Sequence, residues 1–291
     1  MPHRASGRPV TDPGGVELSP ADFTAIAAIM MKEARIHLPA NKQTLVQSRL
    51  TKRLRHHGIA SFADYIIHVR QHPEERHVMV EALTTNHTHF FRENHHYQHF
   101  ASDVLPGLKA KAAAGRPVRI WSAGSSSGEE IYALAMLMAG NNRQKATWLF
   151  GGEVRLLATD IAPAMIDLVR RAEYPASAVE PVPVALRQLW LERSGDHYRI
   201  AEPLRRLVQA NVLNLFAPWP MQHQYDVIFC RNVMIYFDDA AKEDLELRFI
   251  DLLWPGGHLY IGHSERLIGK AVTGLKRVGQ TVFRKPETAV Q

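Results

Sequence analysis

The chain has 291 residues, 46% of them hydrophobic, with a formal net charge of +6 and a pI near 9.5. That is enough apolar material for one large or two modest cores, and no apolar run approaches the ~18 residues of a membrane span. The single cysteine, Cys230, excludes an internal disulfide framework and suits a reducing cytoplasm. The basic charge favours an acidic partner of unspecified kind: nucleic acid, an anionic membrane or an acidic protein.

Residues 1–17 are rich in proline and glycine and lack an apolar h-region, so they are expected to form a disordered tail, not a signal peptide. Ser19-Pro20 is a helix start, with serine as cap and proline in the first turn. Asn41 can cap a second helix that ends on Gly58. On it Lys42, Arg49, Arg53 and His56 share an arc of about 60°, with Val46, Leu50 and Leu54 beside them facing a core. No carboxylate lies between Lys42 and Ser61 to neutralise this stripe. It reads either as a solvated face or as a dock for an acidic partner. Two further helices start at Ser61 and near Pro73, so residues 18–95 are expected to form a helical domain, followed by a linker over 96–117.

Residues 86–100 hold five histidines. Their spacings, His87-x-His89 and His95-His96, match no familiar zinc pattern, and no metal is expected. From Val118 the pattern changes. An apolar strand runs to Ala123, breaks on Gly124, and after Gly128 becomes a helix with Ile131, Leu134, Ala135 and Met138 on one face. Strand, glycine turn and helix bring a backbone close to a nucleotide-like ligand, and small residues leave room for it. The next strand, residues 154–161, carries Asp160 at its end. That carboxylate can accept ribose hydroxyls or cap the helix that follows. A proline-rich irregular stretch (174–183), a helix over 185–192, and a pair of short strands turning at Glu202-Pro203 come next. Tyr225 to Cys230 is a strand, apolar but for Asp226. Pro255-Gly256-Gly257 reads as a turn into another strand, and 278–283 as the last one.

Five segments together resemble one family, the bacterial chemotaxis receptor methyltransferases of CheR type. They are LTTNHTHFFRE (83–93), RIWSAGSSSGEEIYALAM (119–136), LATDIAP (157–163), YDVIFCRNVMIYFD (225–238) and GGHLYIGHSE (256–265). The resemblance implies an α/β fold: a Rossmann-like S-adenosylmethionine-dependent methyltransferase domain (118–286), with a small all-helical N-terminal domain and an inserted β-hairpin subdomain (about 185–210). Residues 287–291 would be a tail. It implies methyl transfer from S-adenosylmethionine to glutamate side chains of chemoreceptors, leaving S-adenosylhomocysteine. Asn86, Thr88, Arg92, Ala123, Gly124, Glu130, Asp160, Asn211, Val212, Cys230 and Arg231 match cofactor-contacting positions, and Arg92 and Tyr236 match the pair nearest the transferred methyl. Val212 stands where the family usually has leucine. Arg49, Lys52, Arg53 and Arg55 match the helix that docks on the receptor's methylation helices.

The hairpin loop at Ser194–His197 is about three residues shorter than in members that bind a tethering peptide at the receptor C-terminus, so no tether is expected. A cytoplasmic monomer is expected, with no nucleic-acid partner and no membrane insertion. Two rival readings stand beside this one. A nucleic-acid methyltransferase would carry an Asn/Asp-Pro-Pro-aromatic motif where this chain has Cys230-Arg231-Asn232-Val233. A non-catalytic S-adenosylmethionine-binding scaffold would not need Arg92 and Tyr236 intact.

Overall fold

The computed structural model describes residues 16–287, so nearly all of the expected N-terminal tail, and residues 288–291, lie outside the described residues. The chain forms two compact units, one comprising residues up to 33 with 37–84, the other residues 34–36 with 85 onward.

The first unit is helical: α1 (Pro20–Ala34), α2 (Gln43–His57), α3 (Phe62–Gln71) and α4 (Pro73–Leu83). Ser19 accepts the Asp22 amide at 3.1 Å and Ser61 that of Asp64, each satisfying an orphan donor of a first turn. Gly58 closes α2 in the left-handed conformation, φ +66°. Asn41 does not cap α2; it sits inside a 3₁₀ turn, Ala40–Lys42, that feeds the helix directly. Val46, Leu50 and Leu54 are buried as their spacing predicts, with Phe62, Tyr65, Ile66, Val69, Met79, Val80 and Leu83.

The basic stripe on α2 is less free than the sequence implies. Arg53 pairs with both oxygens of Glu75 on α4, which also accepts the Tyr65 hydroxyl at 2.6 Å and faces His57 at 2.8 Å. Arg49 donates to the carbonyls of Ala82 and Thr84, at 3.2 and 2.6 Å, where α4 ends. Lys52 and Arg55 remain exposed, beside a shallow groove lined by Thr44, Gln47, Ser48 and Thr51. Burial alone would raise the Glu75 carboxyl, but bonds from Arg53, Tyr65 and His57 outweigh it and hold it at about 2. A depressed carboxylate stabilises the fold fully above its unfolded pKa, near 4.3, and loses that contribution as pH falls toward 2. About two pKa units correspond to roughly 3 kcal/mol. Hydrogen exchange of the α2–α4 amides is therefore expected to lose protection from pH 5 to pH 3 in the wild type. Glu75→Gln should be weaker at pH 7 and much flatter over that interval.

The second unit opens with α5 (Asn94–His99), a π-helical turn (Phe100–Val104) and α6 (Leu105–Ala113). These residues are not a linker. Tyr97, Phe100, Val104, Leu105 and Leu108 belong to the main hydrophobic core, and Pro106 is tolerated because it falls in a first turn. The α/β order follows: β1 (Val118–Ala123), α7 (Glu129–Ala139), α8 (Thr147–Phe150), β2 (Val154–Asp160), α9 (Pro163–Arg171), β3 (Glu173–Pro175), α10 (Val184–Trp190), β4 (Leu191–Ser194), β5 (His197–Ile200), α11 (Glu202–Arg205), β6 (Val208–Val212), β7 (Tyr225–Cys230), α12 (Asp239–Leu252), β8 (Leu253–Ile261), α13 (Ala271–Gly274), β9 (Lys276–Gly279) and β10 (Val282–Arg284). The seven-stranded sheet runs β6-β2-β1-β7-β8-β10-β9, with β10 antiparallel to both its neighbours and the first five strands parallel. All six residues of β7 are buried, as a central parallel strand covered on both faces requires. Strand order reverses between β1 and β7, which places a ligand crevice beyond their C-terminal ends.

Three local expectations change. The small subdomain is a three-stranded antiparallel sheet, β3-β5-β4, spanning 173–200 and not 185–210. Its first strand, three residues ending in Pro175, is too short for a periodic signal. β5 and β6 do not form a hairpin at Glu202-Pro203; α11 separates them and each enters a different sheet. The Pro255-Gly256-Gly257 turn lies within β8 at a register shift, and the last strand is a hairpin, β9–β10, reversing at Gln280-Thr281.

Candidate active site

The crevice is lined by three loops at the C-terminal ends of β1, β2 and β7 and by the segment 85–93. After β1, Gly124 turns at φ +76°, and a Cβ there would lie 2.4 Å from the Cγ2 of Val233 in the loop after β7. Only glycine lets the two loops approach so closely. The amides of Gly124 and Ser125 both donate to the Thr159 carbonyl at 2.8 Å. Asp160 accepts the amide of Ser126 at 2.9 Å on one oxygen and that of Ala162 at 3.0 Å on the other. The helix cap considered for Asp160 is thus only part of its role, since its carboxylate also fixes the glycine loop. Asn211 and Val212 end β6 alongside Thr159 and Asp160, and Val212 is 50% exposed. A half-exposed valine at a strand end offers an apolar surface to a flat ring.

Three consecutive carbonyls organise the segment before the Phe-Phe-Arg-Glu run. The Tyr236 hydroxyl lies 3.5 Å from the Thr85 carbonyl, Ser126 Oγ donates to that of Asn86 at 2.9 Å, and Arg92 donates to that of His87 at 2.9 Å. Arg92 and Tyr236, paired in the sequence reading, converge on one short stretch of backbone, together with the glycine loop. Asn86 and Thr88 are half-buried on the same stretch.

Beneath it lies a charge network. Arg231, with a side chain 3% exposed, pairs with Glu130 at 3.0 Å and Glu93 at 3.2 Å, donates to the Arg92 carbonyl, and lies over the Tyr97 ring. Glu130 also accepts Ser122 Oγ at 2.7 Å. Burial would raise Glu93, yet the Arg231 charge and bonds from His263 and Asn232 hold it at about 2. The Arg231 guanidinium, which burial alone would lower, is raised by Glu130, Tyr97 and Glu93. Glu130 and Arg231, assigned to the cofactor by resemblance, thus also hold each other, and Arg231 holds the Arg92 backbone. Burial pushes the Cys230 thiol well above its ordinary value, so it stays protonated at neutral pH, a small apolar group and not a nucleophile.

Glu93, Asn232, His263 and Glu265 were not assigned from sequence. Glu265 accepts the amides of Asn232 at 3.1 Å, Ile235 at 3.2 Å and Gly262 at 2.5 Å, and so shapes the loop that carries Tyr236. Phe91, Glu93, Ser126 and Asn232 all have positive φ, at 58°, 57°, 48° and 58°. Such strain in non-glycine residues concentrates at functional sites, and no sequence window reports it. The domain boundary falls after Thr84, not at 95, because residues 85–93 take their partners from the crevice loops.

S-adenosylmethionine, the cofactor the resemblance implies, fits these residues: a cradle only glycine can form, an acidic strand end, and a half-exposed valine beside it. Comparison with known families matches residues 21–84 to the CheR methyltransferase all-alpha domain and residues 86–283 to the CheR methyltransferase SAM binding domain. The chain is 41% identical over 262 residues to a probable chemotaxis protein methyltransferase of Rhizobium etli, covering 88% of this chain and 96% of the relative. It is 38% identical over 267 residues to chemotaxis protein methyltransferase 2 of Pseudomonas aeruginosa, covering 90% and 92%, and 34% identical over 255 residues to the chemotaxis protein methyltransferase of Escherichia coli, covering 85% of each. The chain belongs to the CheR methyltransferase family, and its second unit is that family's S-adenosylmethionine-binding domain.

Proposed function

We propose that this chain methylates glutamate side chains on the cytoplasmic methylation helices of chemoreceptors, forming protein-glutamate methyl esters. The observation that carries the reading is the convergence of Arg92, Tyr236 and Ser126 on carbonyls 85–87, beside the loop held by Asp160. Bound S-adenosylmethionine would supply an electrophilic sulfonium methyl. Asn86, Gly124, Glu130, Asp160, Asn211 and Val212 are the residues that would hold it. The accepting glutamate has a reference pKa near 4.3 and is ionised at neutral pH, so no general base is required. That agrees with a crevice whose cysteine is protonated. Positioning of two reactants can supply on the order of 7–11 kcal/mol. Arg92 orients the incoming carboxylate by a charge-assisted bond, and Tyr236 limits its approach through the hydroxyl.

On the helical unit, the exposed pair Lys52 and Arg55 supports docking of an acidic receptor helix, whereas Arg49 and Arg53 act within the fold. The two-residue turn Gly195-Asp196 supports a hairpin that takes no tether peptide. No helix among the described residues is long and apolar enough to cross a membrane, and action in the cytoplasm as a monomer, without nucleic acid, completes the proposal.

The test is transfer of radiolabelled methyl to receptor-containing membranes from the same organism, followed by mild base. Label released as methanol marks an ester. Arg92→Ala is expected to lose about 100-fold or more in transfer while still binding S-adenosylhomocysteine. Lys52→Glu with Arg55→Glu should raise KM for receptor several-fold at unchanged cofactor affinity. Cofactor binding without any transfer to receptor would favour a non-catalytic scaffold instead.

A further inference from the structure

Three buried side-chain atoms at the start of α5 make no hydrogen bond: Glu93 Oε2, which is ion-paired with Arg231 at 3.2 Å, His95 Nε2 and His96 Nδ1. Glu93, His95 and His96 can each offer one ligand atom, all within 4.8 Å of one another, and His96 is fully buried. The tautomer of His96 follows from its other nitrogen. Nε2 lies 3.1 Å from the Gln280 carbonyl and 2.9 Å from Thr281 Oγ1, whose own proton is given to that carbonyl. Both partners therefore accept, so Nε2 carries the hydrogen and Nδ1 presents a bare lone pair. That lone pair faces Glu93 Oε2, a second acceptor, at 3.5 Å with no proton between them. Two acceptors in a buried site repel unless a positive or proton-donating species stands between them. A ring nitrogen whose partner N–H is fixed by a carbonyl is also the usual arrangement of a metal-ligating histidine.

We propose that Glu93, His95 and His96 form a binding site for a divalent transition metal of the zinc class, and that its occupation inhibits the enzyme. Two imidazoles and a carboxylate are a donor set suited to zinc or cobalt with an open fourth position. The charge balance permits a cation, because Glu93 and Glu130 face a single guanidinium, that of Arg231. Arg231 is the metal's competitor, since it lies 3.2 Å from the same Glu93 oxygen and also holds the Arg92 carbonyl. A metal on Oε2 draws Glu93 from Arg231 and loosens the backbone that positions Arg92. The inhibitory half rests on the proposed methyl transfer; the binding half does not.

The test uses untagged full-length protein and zinc or cobalt ions alone. Because His56, His57, His68 and His72 also stand ring to ring in the helical unit, binding is scored as the difference between wild type and His95→Gln. The expected result is one zinc equivalent fewer in His95→Gln at an unchanged Tm. Cobalt in the wild type should give an intense tetrahedral visible spectrum that the variant lacks. Zinc should slow transfer several-fold in the wild type and not in His95→Gln. Equal zinc stoichiometry, or only a weak octahedral cobalt spectrum in the wild type, overturns the site and leaves a water between the three atoms. A lost equivalent with no change in transfer overturns the inhibition and not the methyltransferase reading.

Discussion

Arg231→Met is expected to destabilise the second unit by about 3–5 kcal/mol, the cost of leaving a buried charge without its partner. The substitution keeps the volume of the stem and removes the charge that Glu93 and Glu130 share, both of which have side chains no more than 12% exposed. At the usual scaling for a unit of this size, the loss lowers Tm by about 10 °C or more. Function should fall further than stability, because Arg231 also holds the Arg92 carbonyl. Glu93, freed of that charge, should rise from about 2, since burial alone raises it. Thermal unfolding at pH 7 and at pH 5 checks both points. The variant's deficit should narrow at pH 5, where a protonated Glu93 no longer leaves a naked buried charge. A Tm within a degree or two of wild type would mean that the network is not structural.

The second large effect is expected at Gly124. Alanine there must adopt φ +76°, which costs about 1–2 kcal/mol for a residue with a Cβ. Its Cβ would also meet Val233 at 2.4 Å, and relieving such overpacking typically costs about 1–3 kcal/mol. Since Val233 sits on the Tyr236 loop, the clash moves that loop away from β1 and widens the cofactor cradle. Isothermal titration with S-adenosylhomocysteine should show at least about tenfold weaker binding. Val233→Ala combined with Gly124→Ala should recover part of it, whereas a purely local backbone effect would show no rescue. Double-mutant coupling of this kind separates contact from strain.

Much of the site was legible because its signals are short-range. The strand, Gly124 and α7 stand within about twenty residues, and Asp160 ends the next apolar run. Capping at Ser19 and Ser61 and the stop at Gly58 are likewise local. Where local signals mislead, a short or mixed element is the cause. Pro106 and Gly107 disguise α6 as a linker, and β3 is too brief to show a period.

Sequence alone determined the glycine loop with its acidic strand end and the core face of α2, and it paired Arg92 with Tyr236 only as what the resemblance implies. Tertiary structure alone decided which charges are available for function. Glu75 reaches back 22 positions to take Arg53, and Arg49 spans 33 to cap α4, leaving Lys52 and Arg55 as the free cations of the four. Arg231 finds Glu130 across 101 positions and the Arg92 carbonyl across 139. Periodicity and propensity act over a few turns of chain, whereas charge pairing acts over a few ångströms of space. Residues so far apart in the chain become neighbours only once the sheet has set its strand order.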